Sequence, residues 1–320
     1  MGIKKTTKKY LNVSIIGAGY MAEEHIKALK KFKTIKIQGI MSHKGINALK
    51  LAKKYKIKNV CFDVKELYEK TYSDLLVIAV REVNVKKIII QAFKYPWKIF
   101  SEKPLGLNYL ESKKICLVAK RLNREKDVMV GYNRRNYEST KYVLSDISSK
   151  KRIIQIIDQQ NIYDKRVVNL PIKIKKNWMF ANSTHLIDYA NIFCRGKIND
   201  FKKKTFFLNK KSKILTFLAT YDSGDILSYN ALWNMPGPWS VSITNEKKSY
   251  KLEPLEALKI KNLNSSRFEK VNIKDYEKNK IKPGLFNQTI ELIKFVSNKK
   301  NNLCSLKESH KVMSLTNKIY

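Results

Sequence analysis

Short apolar runs alternate with amphipathic stretches over the first 131 residues. Strands are predicted at Val13–Ile16, Ile35–Met41, Asn59–Phe62, Leu75–Val80, Trp97–Ser101 and Asp127–Gly131. Helices are predicted between them at Met21–Lys31, Ile46–Tyr55, Val64–Lys70, Val83–Tyr95 and Tyr109–Leu122. Strand–helix repetition with short polar turns predicts an α/β fold, a doubly wound parallel sheet whose ligand crevice lies beyond the carboxyl ends of its strands. After residue 131 the pattern changes. A helix at Arg135–Ser148, a strand at Ile153–Gln160 and a helix at Thr184–Phe193 precede strand-like runs at Lys204–Leu208, Ile214–Tyr221, Ile226–Trp233, Trp239–Thr244 and Ser249–Leu252. Turns at Asp222-Ser223-Gly224-Asp225 and Met235-Pro236-Gly237-Pro238 punctuate them, and helices at Gln288–Ser297 and Ser305–Ile319 follow. These predict a second, α+β domain with a mostly antiparallel open sheet, so the expected domains are residues 1–131 and 132–320.

The first strand runs into Gly17-Ala18-Gly19-Tyr20-Met21-Ala22 and then a helix, the G-x-G-x-x-A spacing of a dinucleotide site. Gly17 permits a sharp turn, Gly19 leaves room for a pyrophosphate, and Ala22 lets the helix lie close on the strand. Phosphate oxygens are expected on the free N–H groups at that helix start, with Tyr20 and Met21 completing the cofactor turn. The alternative is a tight strand–helix turn in an unrelated α/β protein.

Composition modifies this picture only slightly. The 43% hydrophobic fraction argues against disorder, and no apolar run approaches a membrane span of about 20 residues. The formal charge of +38 would by itself indicate nucleic acid. The excess is mostly lysine and is scattered through every segment, so solvated faces and no specific nucleic-acid partner are expected. A positive field would still help recruit an anionic cofactor or sugar nucleotide. Cys61, Cys116, Cys194 and Cys304 are widely separated; free thiols in a reducing cytoplasm are expected, and no metal site.

Three further signals follow the glycine turn in a fixed order: Ser101-Glu102-Lys103-Pro104-Leu105-Gly106 after strand five, Gly131-Tyr132-Asn133-Arg134-Arg135 after strand six, and Asn182-Ser183-Thr184-His185-Leu186-Ile187-Asp188 opening a helix of the second domain. Together the four resemble the Gfo/Idh/MocA oxidoreductases, named for glucose–fructose oxidoreductase and inositol dehydrogenase, over essentially the whole chain. Tyr250 to Glu256 and Lys282-Pro283-Gly284 more weakly resemble members found with surface-polysaccharide and sugar-nucleotide metabolism.

Lys103 is the first candidate for catalysis, at a strand end facing the crevice. Desolvation and nearby cations would help it lose a proton there. The resemblance implies a cis Lys103-Pro104 link that turns the lysine toward a nicotinamide. It also implies that Glu102 positions the cofactor, the alternative being a solvated carboxylate. His185 is the second candidate, with Asn182, Ser183 and Thr184 as possible helix caps. It would bind the reacting hydroxyl or pass its proton, the alternative being a hydrogen-bonded core histidine. Asp188, three residues on, falls on the same helical face and would orient the ring or bond elsewhere. Many relatives carry an aspartate four residues before this histidine; here that position is Ala181, and the adjacent Asn182 cannot titrate. By resemblance Asn133, Arg134 and Arg135 line the substrate cleft, where arginine suits a carboxylate or phosphate; the alternative is an interdomain salt bridge.

Strand two ends in Met41-Ser42-His43-Lys44, without the acid that accepts bonds from an NAD ribose. Ser42, His43 and Lys44 can instead receive a 2′-phosphate, which tilts the cofactor expectation from NAD(H) toward NADP(H). Val80 and Arg81, ending strand four, should pass near the cofactor. The expected function is hydride transfer between NAD(P) and a hydroxyl/carbonyl of a sugar, cyclitol or sugar nucleotide, in a cytoplasmic homo-oligomer, dimer or tetramer, with no membrane partner. The alternative, prompted by Ala181, is a non-catalytic cofactor- or metabolite-sensing protein of the same fold.

Overall fold

The computed structural model describes residues 10–43, 45–273 and 281–320. These form two units. The first takes described residues 10–106, 110–131 and 281–307, and the second 107–109, 132–273 and 308–320. The chain leaves the first unit at Gly131, but residues 281–307 return to it, whereas a single cut at 131 assigns them to the second domain.

The first unit is built on β1 (Leu11–Ile16), β2 (Ile35–Met41), β3 (Asn59–Cys61), β4 (Leu75–Ile78), β5 (Lys98–Glu102) and β6 (Val128–Gly131). All six run parallel, in the order β6-β5-β4-β1-β2-β3. The connecting helices are α1 (Tyr20–Leu29), α2 (Ile46–Tyr55), α3 (Val64–Thr71), α4 (Glu82–Ala92) and α5 (Tyr109–Arg121). The central strand β4 is buried on both faces and reads as a continuous apolar run, as a parallel strand does. Val13, Ile15, Ile40, Leu75, Val77 and Phe100 form the core with Ala22, Ile26 and Leu29 of α1, whose spacing places them on one helical face. Each fully buried Ile or Leu of this set contributes about 1.5–3 kcal/mol.

The second unit opens with α6 (Glu138–Asp146) and β7 (Ile153–Gln160). Three short helices follow, α7 (Lys165–Val168), α8 (Ile172–Lys176) and α9 (Trp178–Ala181), and then α10 (Thr184–Phe193). Seven strands complete its sheet: β8 (Ile198–Phe207), β9 (Lys213–Tyr221), β10 (Ile226–Trp233), β11 (Trp239–Thr244), β12 (Lys248–Leu252), β13 (Lys259–Asn262) and β14 (Glu269–Lys270). Their order is β14-β13-β12-β11-β7-β10-β9-β8, antiparallel except for the β7–β10 pair. On β7, Ile154, Ile156, Asp158 and Gln160 are buried and alternate with more exposed residues. Leu186, Ile187, Tyr189, Ala190 and Phe193 of α10 are also buried. The strand expected at Lys204–Leu208 instead begins at Ile198, because β8 is an exposed edge strand without inward–outward alternation to mark its start.

After α11 (Leu285–Val296), β15 (Cys304–Ser305) pairs antiparallel with β6 at the edge of the first sheet, and α12 (Leu306–Ile319) follows. α11 packs against α1.

Candidate active site

In the first unit the glycine turn is forced by its surroundings. Gly17 has φ +119°, and a Cβ there would stand 2.1 Å from the Ala79 carbonyl oxygen at the end of β4. No other residue fits. Gly19 differs: its backbone is extended, and a Cβ would meet nothing within 4 Å. It precedes α1, so the helix's first N–H groups face open space. A cavity of about 810 Å³ lies over this turn, lined by Gly17, Gly19, Ser42, His43, Val80 and Arg81 among others. Ala22 lies in the core, the packing role the spacing assigns it. Tyr20 is exposed, under the Lys282 ammonium, and Met21 is half-buried; neither lines the cavity. Lys44 lies outside the described residues.

The cavity wall is rich in cations, with Lys65, Arg81, Lys87 and Lys94. Its one carboxylate among the described lining residues is Asp63, which is occupied as the cap of α3: its side chain accepts from the Glu66 N–H.

Lys103 is half-buried immediately after β5, and its peptide bond to Pro104 is cis. Glu102 is not a solvated carboxylate. It is buried, and its Oε1 accepts from His25 Nε2 of α1 at 2.6 Å. His25 escaped the sequence reading. Its signal was present, since the residue shares the inward face of α1 with Ala22 and Ile26.

In the second unit His185 lies in the first turn of α10, half-buried, with its ring edge-on to Tyr132. Asp188 does not orient that ring. It accepts from Arg135 through both oxygens, at 2.7 and 2.8 Å, and Arg135 also donates to Glu308. With side-chain exposures of 9% and 2%, Arg135 and Asp188 satisfy each other in the interior. The cleft role expected of Arg135 is therefore corrected to a structural pair with Asp188: the guanidinium fork is already filled. Arg134 takes a different course, with its guanidinium 5.0 Å from the Trp239 ring centre and no carboxylate paired to it among the described residues. Asn133 is buried, and Asn182 donates to Gln160 Oε1.

Beneath α10 lies a polar cluster the sequence reading also missed. Asp158 is fully buried and accepts from Tyr229, Gln160 and Ser183. The Tyr320 hydroxyl joins Tyr229 to Ser183, the residue just before α10. Burial pushes the Asp158 carboxyl up to about 6, against these bonds and the Arg134 charge. Period-two reading of Ile154, Ile156, Asp158 and Gln160 was the available signal, because it places an acid on a core-facing register.

Residues 11–132 match the model of the oxidoreductase family Gfo/Idh/MocA, described as an NAD-binding Rossmann fold. A relative, 4-carboxy-2-hydroxymuconate-6-semialdehyde dehydrogenase of a Sphingobium species, is 24% identical over 156 residues. That match spans 49% of either protein, about half the relative's length. Among solved structures, UDP-N-acetylglucosamine 3-dehydrogenase from Acidithiobacillus ferrooxidans is similar with a TM-score of 0.76 at 13% identity, over 97% of this chain and 96% of that one. Levoglucosan dehydrogenase, solved with NADH and L-sorbose, gives a TM-score of 0.80 at 16% identity over 97% and 96%. These likenesses show a fold shared with those structures over both units. Among the described residues no helix is long and apolar enough to cross a membrane, and no group of His, Cys, Asp and Glu is arranged to hold a metal.

Proposed function

We propose that this protein is an NAD(P)-dependent oxidoreductase acting on a hydroxyl/carbonyl pair of a sugar, cyclitol or sugar nucleotide. The observation that carries the reading is the turn at Gly17 and Gly19: one glycine is required by backbone crowding, while the other leaves space before a helix N-terminus that opens on a large cavity. Those residues fit a dinucleotide, with the α1 N–H groups on the pyrophosphate and Val80 and Arg81 beside the cofactor. When bound, the nicotinamide supplies the site that accepts or gives the hydride.

The chain's own residues handle the proton. Lys103 takes it from the substrate hydroxyl during oxidation and returns it during reduction. In the second unit His185 is the proposed second proton-handling group, and Arg134 is a guanidinium suited to an anionic substrate group. We propose NADP(H) as the preferred cofactor, since His43, Lys65 and Arg81 line the cavity and Asp63 is committed to its helix. A cytoplasmic homo-oligomer with a part in sugar-nucleotide or polysaccharide metabolism completes the reading, supported by the four free thiols and by exposed apolar side chains such as Ile153, Leu218 and Phe207 on the second sheet.

The test is calorimetric titration with NADP⁺ and NAD⁺, followed by absorbance assays of reduced cofactor across sugars, cyclitols and UDP-sugars. Tighter NADP⁺ binding with turnover of a panel member is expected. Failure to bind either cofactor overturns the reading. Binding without turnover across the panel and its keto forms favours the sensing alternative, which Ala181 motivates.

A further inference from the structure

We propose that His25 is a positioning residue that couples the phosphate-binding turn to the lysine-bearing turn through its hydrogen bond to Glu102. The inference deepens the proposed function and rests on Lys103 as the proton-handling group.

The geometry is that of a built receptacle for one carboxylate. The His25 and Glu102 side chains are 3% and 10% exposed, and Nε2 donates to Oε1 at 2.6 Å. The Phe100 ring, two residues earlier on β5, meets the imidazole edge-on at 5.5 Å between centres. Across the sheet, Glu102 pairs with Gly131 of β6. A Cβ at Gly131 would stand 3.2 Å from Glu102 Oε1 and 3.1 Å from Phe100 Cζ, so the missing side chain leaves the carboxylate its space. The imidazole and the bare Gly131 backbone therefore flank the acid, and the phenyl ring meets the imidazole.

Its chemistry points to function. A carboxylate withdrawn from water at a strand end is expensive unless a strong donor meets it, and well-packed apolar residues would stabilise such a position at least as well. What the pair provides is a fixed distance between two particular backbones. His25 lies one to two turns into α1, whose N-terminus carries the phosphate site. Glu102 is the last residue of β5, and Lys103 follows it directly. The bond thus holds the base-bearing turn in register with the helix that receives the cofactor. Displacements of about 1 Å in such an arrangement are enough to slow a reaction roughly 100-fold.

The experiment compares His25→Leu and His25→Asn, which remove the donor or withdraw it, with His25→Gln, which retains an N–H on a longer side chain. NADP⁺ affinity is expected to change less than about threefold, while kcat falls about 10- to 100-fold with little change in KM. His25→Gln should recover most of the loss. In a Glu102→Gln background His25→Leu should cost little more, because the two groups act as one unit. A substrate-independent arm uses acetic anhydride: Lys103 acetylation, read by peptide mass spectrometry, should be slowed by NADP⁺ in the native protein and in His25→Gln. In His25→Leu or His25→Asn it should not be slowed, at concentrations where NADP⁺ still binds. Unchanged protection in the variants overturns the coupling, as does a loss of kcat that His25→Gln does not relieve. If protection behaves as expected but Lys103→Ala retains full turnover, the assignment of the base fails and the coupling stands. Should His25→Leu not fold, His25→Asn carries both arms.

Discussion

Each unit buries a carboxyl group, and the two are held by different chemistry. Glu102 meets an imidazole nitrogen, whereas Asp158 meets two hydroxyls and an amide. The imidazole meets Glu102 through one short nitrogen contact of 2.6 Å. Hydroxyl and amide donors offer hydrogen bonds but no positive charge. Asp158 must therefore draw its proton from solvent, and burial pushes it up to about 6. A further buried acid, Asp188, shows the intermediate case: burial raises it even though the Arg135 charge and hydrogen bonds pull down. What sits beside Asp158 and Asp188 thus sets what opposes the rise that burial imposes on each.

The largest expected effect falls on the residue after Glu102. Lys103→Ala should lower hydride transfer by about 10²- to 10⁴-fold while leaving NADP⁺ affinity within a few-fold, measured by steady-state kinetics and calorimetry. Arg135→Ala converts Asp188 into a buried carboxyl without its cation. It should cost about 3–5 kcal/mol in urea unfolding at neutral pH, and less in acid, where Asp188 takes up a proton.

The pH response of Asp158 comes next. An acid whose pKa is higher in the folded than in the unfolded chain favours folding when protonated. Its contribution is complete below about pH 4 and is lost as the pH rises through about 6, an amount on the order of 2 to 3 kcal/mol. Asp188 acts in the same direction. Asp146 acts oppositely: Lys248 holds it below the usual carboxylate range, so its contribution disappears only in more acidic solution. Asp158→Asn should accordingly shrink the difference in melting temperature between pH 5 and pH 7.5, and an unchanged difference would place the titrating group elsewhere. The smallest effect is expected from Tyr229→Phe, which removes one donor to Asp158 and should cost about 1–2 kcal/mol, with a further rise in the pH sensitivity.

The first unit was the more legible in sequence. Val13–Ile16 and Leu75–Ile78 are buried and stand out as short apolar runs, and a backbone collision at Gly17 leaves an unmistakable residue choice. The role proposed for Lys103 rests in sequence on its neighbours Glu102 and Pro104. The partner of Glu102 was hidden because it is 77 residues distant and looks like an ordinary helical position. In the second unit, β8 is exposed nearly throughout and carries three consecutive lysines, so its first half left no trace. The fate of the two arginines was equally hidden. Arg134 and Arg135 are adjacent, yet one stacks on Trp239 and the other is spent on Asp188, a difference set by residues distant in the chain.

The return of residues 281–307 to the first unit has a consequence for biosynthesis. β15 supplies the edge of the first sheet, and α11 covers part of α1. The first unit is therefore stitched from separate stretches of the polypeptide and cannot be finished until residues 281–307 have emerged from the ribosome. A nascent chain arrested near residue 131 would present an uncovered helix and an open strand edge, a natural client for chaperones until the closing segment emerges.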